Sequence, residues 1–233
     1  TINSAYLNFK SSLEKFKIQN YEMFQATPFN LPTKIAEKIQ STKCEIILVL
    51  DINDSLICNT DEEIISKFME FDKPVVFGAQ SLKEDIELHR WWYYKEQQQI
   101  EENIKLKLEH RENLFIPTNK YANTHHYIGY ANFILDFLYL PSINYFIELN
   151  ADNCALDLDS KLFGCITVKS DDLLFFRLNN DKIQDKRSLE YPCILLIPNS
   201  RTDLYIRLNR YSNMILDEKT HTNYQINWIS ILP

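Results

Sequence analysis

Two aspartates follow the most apolar run of the chain, in residues 45–57, EIILVLDINDSLI. Asp51 comes directly after that run, and Asp54 lies three positions further on. Such a pair could hold a divalent cation, because hard cations prefer oxygen ligands and leave coordination positions open for phosphate. It could instead supply a nucleophile, or only cap the loop through hydrogen bonds from backbone N–H groups. Spacing alone leaves these three interpretations open.

Composition excludes several other kinds of site. The chain has three glycines, so it cannot build the glycine-rich loops that cradle phosphate in dinucleotide-binding and P-loop proteins. Its net charge of −7, with no basic stripe, argues against a nucleic-acid partner. A sugar nucleotide stays compatible, because a cation can join its pyrophosphate to an acidic loop. Five cysteines without a C-x-x-C pair indicate buried thiols rather than a zinc site or a disulfide framework.

The elements around the acidic pair predict an α/β fold. Residues 45–50 lack polar alternation, which is typical of a strand buried on both faces in a mostly parallel sheet. Thr60, with Glu63 three residues later, predicts the start of a helix, and residues 74–77 predict a second buried strand. In a strand–helix–strand unit, ligands collect at the carboxyl ends of the strands. The acidic pair is therefore expected at a ligand-binding edge.

The rest of the chain is expected to complete one domain over residues 1–233. Its 45% hydrophobic content suits a sizeable core, and no window approaches the ~20 apolar residues of a membrane span. The start at Thr1 shows no apolar signal core, so a soluble chain is expected. Further predictions are helices at 4–25, 34–40 and from 132, strands at 173–177 and 193–197, an excursion at 82–113 containing the aromatic cluster 91–94, and a tail at 207–233 that packs back on the domain.

Three segments in a fixed order resemble a known family. Residues 44–80, from CEIILVLD to VVFGAQ, are similar to a strand, a D-x-x-D loop, a helix and a following strand. Residues 121–134, YANTHHYIGYANFI, resemble the motif Y-L-N-S-G-G-F-I-G-x-A, and residues 173–200 resemble two last strands and a closing H-G-N-G loop. The family is the glycosyltransferase domain of procollagen lysyl hydroxylases, which has relatives in large DNA viruses.

The resemblance implies a GT-A-like, nucleotide-sugar-binding α/β sandwich whose first strand is missing before Thr1. It implies Mn²⁺ held by Asp51 and Asp54 and bridging to the pyrophosphate of a UDP-sugar. The cation would offset charge on the leaving UDP. The acceptor would be hydroxylysine, or galactosyl-hydroxylysine, on a collagen-like chain. Cellular relatives imply the endoplasmic reticulum lumen, and viral relatives the host cytoplasm or the virion.

The same resemblance assigns roles to the remaining site residues. Asp152 is placed near the donor sugar as the catalytic carboxylate. Donor-binding positions are Asn53, Asn123, Thr124, Asn153, Asn199, Ser200 and Arg201. Ile197 stands where the family has its third metal ligand, a histidine, and Asn53 stands where an aromatic stacks on uridine. His125 and His126 replace two glycines near the donor.

These departures favour weak or absent catalysis and leave alternatives open. One is a binding module that keeps the fold without the chemistry. Another is a phosphatase of the haloacid dehalogenase type, with Lys169, Asp171 and Asp172 as distal residues, although Asn53 cannot serve as its general acid. The adjacent histidines are interpreted as a surface or hydrogen-bonded pair. Their alternative role is to replace the missing metal ligand.

Overall fold

The structure is a computed structural model, and it describes residues 4–27, 30–80, 121–138, 151–165, 176–179, 182–197 and 227–232. Within these ranges the helices are α1 (Ser4–Lys15), α2 (Leu31–Ser41), α3 (Asp61–Glu70) and α4 (Ala131–Leu138). The strands are β1 (Tyr21–Met23), β2 (Ile46–Asp51), β3 (Ser55–Ile57), β4 (Val75–Gln80), β5 (Tyr121–Tyr130), β6 (Cys154–Asp157), β7 (Phe163–Cys165), β8 (Phe176–Asn179), β9 (Lys182–Asp185), β10 (Ile194–Leu196) and β11 (Asn227–Leu232). The α/β class is confirmed in this coarse form.

The strands form a mixed sheet rather than a mostly parallel one, so that prediction is wrong. The main sheet has the order β1-β11-β2-β5-β4-β6, and only the pairing of β4 with β6 is parallel. Strands β2, β4 and β6 run in one direction, but β5 runs back between β2 and β4 and pairs antiparallel with both. A smaller sheet, β3-β10-β7, and the hairpin β8-β9 complete the strands that the structure describes.

Strand β2 is covered on both faces, as its unbroken apolar sequence predicts. Leu48 and Leu50 lie in a core cluster with residues of α1, α3 and the smaller sheet. Ile47 and Val49 point the other way, into a second cluster with residues of α2 and α4. The six-stranded sheet therefore lies between two apolar layers, and β2 runs through its middle towards the acidic loop.

Local signals position the helices around this sheet. The Thr60 side chain accepts a hydrogen bond from the Glu63 backbone N–H at 3.4 Å, so the predicted start of α3 is confirmed. Helix α1 ends at Lys15, ten residues earlier than predicted, because the chain turns at Lys17 with φ 57° and enters β1. Pro32 lies in the first turn of α2, where a missing N–H costs nothing.

The structure also bears on the predictions for the cysteines, the C-terminal tail and the excursion at 82–113. None of the five cysteines is in a disulfide, and four of them are buried, as expected for core thiols. The tail returns to the main sheet as β11, which pairs antiparallel with β2. The excursion at 82–113 with its aromatics, and the tail at 207–226, lie outside the described residues. Among the helices that are described, none combines the length and hydrophobicity needed to cross a bilayer.

Because Gly129 has no side chain, β5 can lie close to the backbone at the start of β4. A Cβ added there would lie 2.7 Å from the Pro74 carbonyl oxygen and 3.1 Å from Val75 Cβ. That oxygen accepts a hydrogen bond from the Tyr130 N–H at 2.9 Å, so it cannot move away without loss. We therefore expect Gly129→Ala to lower the free energy of unfolding by about 1–3 kcal/mol, measured by urea denaturation.

Gly78→Ala is the matched control for that substitution. Its Cβ would meet side-chain atoms only, at 3.2 Å from Leu196 Cδ1 and 3.3 Å from Phe163 Cγ. Side chains can shift by a few tenths of an ångström, whereas a hydrogen-bonded carbonyl cannot. Equal losses in the two variants would contradict the assignment of the Gly129 constraint to the backbone.

Candidate functional site

The acidic loop is a tight turn between β2 and β3. The Asp54 N–H donates to the Asp51 carbonyl oxygen at 3.2 Å, and the Ser55 hydroxyl donates to the same oxygen at 2.6 Å. On the far side of the turn, the Ile197 N–H donates to the Asp54 carbonyl oxygen at 2.6 Å. The end of β10 is therefore held directly against the loop, and Ile197 lies next to Asp54.

The two oxygens of the Asp51 carboxylate differ in their hydrogen bonds. Its Oδ1 accepts hydrogen bonds from the backbone N–H of Asn53 at 2.9 Å and from Asn53 Nδ2 at 3.1 Å. This arrangement is the loop-capping role that the sequence left open. No described residue donates a hydrogen bond to Oδ2. Asp51 therefore braces the turn with one oxygen, and its other oxygen receives no hydrogen bond from the described residues.

Burial and a neighbouring histidine act in opposite directions on Asp51. Burial raises the pKa of the Asp51 carboxyl above its ordinary value, and the hydrogen bonds from Asn53 and the charge of His125 lower that pKa. The side chain is only partly buried, whereas Asn53 is 2% exposed. Asn53 thus lies beneath the loop as a brace, and its amide is not placed to stack on a base.

A bulge in β5 brings the histidine pair to the same edge of the sheet. Phe77 of β4 pairs with Tyr127, but the next residue, Gly78, pairs with Asn123. Residues 124–126 therefore have no partners on β4 and protrude as a bulge. Because β5 pairs with β2 up to Tyr127 opposite Val49, the bulge lies beside the carboxyl end of β2. Bulges of this kind are enriched next to active sites, where they redirect side chains.

The two histidines of the bulge have different environments. His125 is exposed, and its backbone N–H donates to Asn123 Oδ1 at 3.0 Å. His126 is 2% exposed, and neither ring nitrogen makes a hydrogen bond to any residue that the structure describes. The interpretation of a surface or hydrogen-bonded pair is therefore wrong for His126. Side-chain type could not reveal this, because the burial follows from the bulge.

The His126 ring is held in its neutral form. Burial, with a smaller contribution from the charge of His125, lowers the pKa of His126 to about 3 against an opposing contribution from the Asp51 backbone. A neutral imidazole has a nitrogen lone pair available, and it needs no deprotonation before it binds a cation. The sheet edge therefore combines a carboxylate oxygen, from Asp51, with an unpaired imidazole.

Asp152 and Asn153 lie at the opposite edge of the sheet. They belong to a short 3-10 helix before β6, where the Lys73 ammonium donates to the Asp152 carbonyl oxygen at 2.6 Å. One row of paired residues crosses the sheet through Ile47, Gly129, Val75 and Cys154. Asp51 follows that row and Asp152 precedes it, so strand spacings put roughly 20 Å between them. The structure does not bring Asp152 or Asn153 together with the acidic loop.

The remaining predicted residues are placed in part. Asn123 lies in β5 at the foot of the bulge and is buried, with its side-chain oxygen bonded to His125. Thr124 is described by its backbone alone, as part of the bulge. Asn199, Ser200 and Arg201 lie outside the described residues, two to four positions after Ile197. In the described part of the chain, no group of three or more His, Cys, Asp or Glu side chains is close enough to hold a metal ion.

Asp157 is an acid at this edge that sequence reasoning passed over. It ends β6, and its carboxylate accepts hydrogen bonds from the backbone N–H groups of Lys161, Leu162 and Phe163 at 2.9, 2.7 and 2.6 Å. Burial raises the pKa of Asp157 to about 6 against the lowering effect of these bonds. Because both oxygens are committed to the β6–β7 turn, Asp157 is a structural acid and not a ligand.

The buried imidazole of His126 gives a pH dependence that can be measured. Between about pH 7.5 and about pH 5 the unfolded chain takes up a proton at His126 that the folded chain does not, so acidification destabilises the fold. A pKa lowered from 6.5 to about 3 predicts a loss of about 2 kcal/mol at about pH 5. Urea midpoints of wild type and His126→Gln should therefore diverge as pH falls, with wild type losing more.

His125→Gln is the comparison variant for this measurement. Burial is the largest cause of the lowered pKa of His126 and the charge of His125 adds to it, so removing that charge should weaken the pH dependence without abolishing it. Parallel curves for wild type and His126→Gln would contradict the prediction, because they would mean that His126 binds its proton equally well in the folded and unfolded states.

Comparisons with known proteins assign no family to the chain. No protein-family model matches it, and no curated protein is significantly similar to it. The chemistry of the sheet edge must therefore be judged from the side chains that meet there: the acidic loop of β2, the histidine bulge of β5 and the end of β10.

Proposed function

We propose that the chain is a metal-assisted glycosyltransferase with a GT-A-like fold, which binds a UDP-sugar at the carboxyl edge of the six-stranded sheet. The observation that carries the proposal is the position of the Asp51 carboxylate, with Oδ2 not hydrogen-bonded by described residues, beside the bulge that buries a neutral His126. Strands β2, β4 and β6 all end at this edge. Ligands of α/β sheets bind at such an edge.

The donor set suits a hard divalent cation that is held jointly by protein and substrate. Mg²⁺-like ions are commonly bound by one or two carboxylates, with phosphate oxygens and water filling the other positions. Asp51 and Asp54 would supply the carboxylates, and phosphate and water the remaining ligands, since no described group of three His, Cys, Asp or Glu side chains is close enough to hold the ion. When bound, Mn²⁺ would neutralise charge on the UDP leaving group as the glycosidic bond breaks. Ile197 offers no ligand atom, and its backbone N–H is already bonded to Asp54.

The loop itself is built to hold its acids in place. Asp51 Oδ1 and Ser55 brace the turn from within, and Ile197 fixes its outer side. Preorganised carboxylates lose little conformational entropy when they bind a ligand. Because burial raises the pKa of Asp51, protons compete with the cation at a higher pH than they would at an exposed aspartate. Metal-dependent binding should therefore weaken as pH falls.

Asn53 limits the affinity of the site for a nucleotide. In the family that the sequence resembles, an aromatic at this position stacks on uridine, whereas Asn53 is buried and bonded to Asp51. Loss of a stacking partner costs roughly 1–3 kcal/mol per base. The phosphatase alternative has no support at this position either. Asn53 stands where that mechanism needs a general acid, and an amide cannot act as one. Asn123, Thr124 and residues 199–201 remain proposed donor contacts by resemblance.

A second candidate function is a binding module that keeps the nucleotide-sugar site without transferring sugar. The position of Asp152 favours it, since this proposed catalytic carboxylate lies at the opposite edge of the sheet from Asp51. The sugar-transfer chemistry then lacks its proposed carboxylate within the described residues. Both candidates share the metal and UDP site, and they differ in whether the glycosidic bond is broken.

Calorimetric titration of UDP with and without Mn²⁺ tests the shared site. We expect binding only when Mn²⁺ is present. Asp51→Asn and Asp54→Asn should each weaken it by about tenfold or more, which is about 1.4 kcal/mol, because each removes an anionic ligand. Asp51→Asn keeps an oxygen at Oδ1 for the Asn53 N–H groups, so the turn should stay intact.

Asp136→Asn is the matched control, since Asp136 is exposed on α4, whose buried side packs on one face of the sheet. Its affinity should equal that of wild type. UDP release from UDP-galactose and UDP-glucose, with a hydroxylysine peptide as acceptor, then separates the two candidates. Binding without release supports the module, and an absence of UDP binding in both titrations overturns both candidates.

A further inference from the structure

Two cysteines face each other across the β3–β10 strand pair. Ile57 pairs with Ile194 in this antiparallel ladder, which makes Cys58 and Cys193 the next opposed residues. The Cys58 N–H donates to the Cys193 carbonyl oxygen at 2.7 Å, so the ladder continues through them. Directly opposed residues of antiparallel strands project their side chains to the same face of the sheet.

The spacing of the two backbones matches that of a disulfide. Opposed residues that share a ladder hydrogen bond have Cα atoms about 5.5 Å apart. Disulfides are found with Cα separations of roughly 4.4–6.8 Å, most often about 5.5–6 Å. Neither cysteine is in a disulfide in the structure. A bond between them would therefore need side-chain rotation rather than a shift of the strands.

The surroundings of the pair keep both thiols protonated. Cys58 is 6% exposed and Cys193 is 0% exposed. Burial raises the pKa of each thiol to about 12, and the proximity of Cys193 adds to the effect on Cys58. The Lys67 ammonium opposes the shift at Cys193. Reaction with an oxidant therefore requires local opening, which is easiest at Cys58, one residue past the three-residue strand β3.

We propose that Cys58 and Cys193 are a disulfide-forming pair, oxidised by a small disulfide such as oxidised glutathione. The Cys58 thiolate attacks one sulfur of the oxidant, forms a mixed disulfide and expels one glutathione thiolate. The Cys193 thiolate then attacks Cys58 Sγ and expels the second glutathione. Two protein thiols are oxidised, one glutathione disulfide is reduced to two thiols, and the protons released pass to the leaving thiolates.

The bond would lock the strand pair that supports the acidic loop. In the same ladder, the Ile197 N–H donates to the Asp54 carbonyl oxygen, four residues from the cysteines on each strand. Cross-linking residues 58 and 193 closes a long segment of chain, and long closed segments lose the most entropy in the unfolded state. The oxidised protein should therefore unfold at a higher temperature. This inference is independent of the proposed function.

Thiol counting on the wild-type protein tests the proposal directly. Folded protein is incubated with oxidised glutathione, quenched in acid, and unfolded for alkylation. The alkylated thiols should fall from five to three, because the bond consumes two. Peptide mapping should find residues 58 and 193 linked. The melting temperature should rise by several degrees and return to its starting value after reduction with dithiothreitol.

Single variants identify which two cysteines form the bond. If a variant fails to fold, the peptide map of the oxidised wild-type protein still decides the question. Cys58→Ala, which lacks the attacking thiol, should retain its four thiols. Cys193→Ala should stop at the mixed disulfide of Cys58 with glutathione and fall from four thiols to three, and neither variant should form a cross-link. Cys154→Ala, buried in the core cluster on the other face of the main sheet, should still lose two. Three results in the wild-type protein would overturn the proposal: a count that stays at five, a map that links other cysteines, or a stable glutathione adduct without the cross-link.

Discussion

The burial of β2 on both faces constrains everything around the acidic loop. A strand covered by apolar layers on both sides must pair all its backbone groups within the sheet, because an unpaired N–H or carbonyl there is costly. Strands β5 and β11 supply those partners. The chain can leave the interior only through a turn that satisfies its own hydrogen bonds, and Asp51, Asn53 and Ser55 provide them. The acids lie at the sheet edge because the strand ends there.

The position of Asp51 at the end of β2 explains how one carboxylate can combine a structural role with the proposed role as a ligand. The first oxygen of Asp51 is required to close the turn whatever the protein binds. The second oxygen costs nothing further to keep in position, since the brace has already fixed the side chain. Asp157 shows the opposite outcome, because three backbone N–H groups use both of its oxygens. The number of N–H groups that a turn directs at an acid thus decides whether it can also hold a ligand.

The sequence predicted the elements whose signals are local. The unbroken apolar run of β2, the Thr60 cap of α3 and the short strands β4 and β10 are read from neighbouring residues, and the structure has them close to their predicted places. Strand β5 was expected as a turn, because Gly129 and the polar residues 123–126 interrupt its pattern. Its insertion between β2 and β4, antiparallel to both, makes the sheet mixed, and no local signal encodes such a long-range pairing. The burial of His126 was hidden for the same reason.

The bulge in β5 also decides which side chains of this strand reach the core. Phe77 and Gly78 point to opposite faces of the sheet, and their partners Tyr127 and Asn123 do the same although four positions separate them. In a regular strand, residues four positions apart would share a face. The three unpaired residues 124–126 absorb this change of phase and keep Ala122 in the same core cluster as Tyr127. A change in the length of the bulge would therefore alter what protrudes at the sheet edge, while the paired parts of β5 keep their buried face.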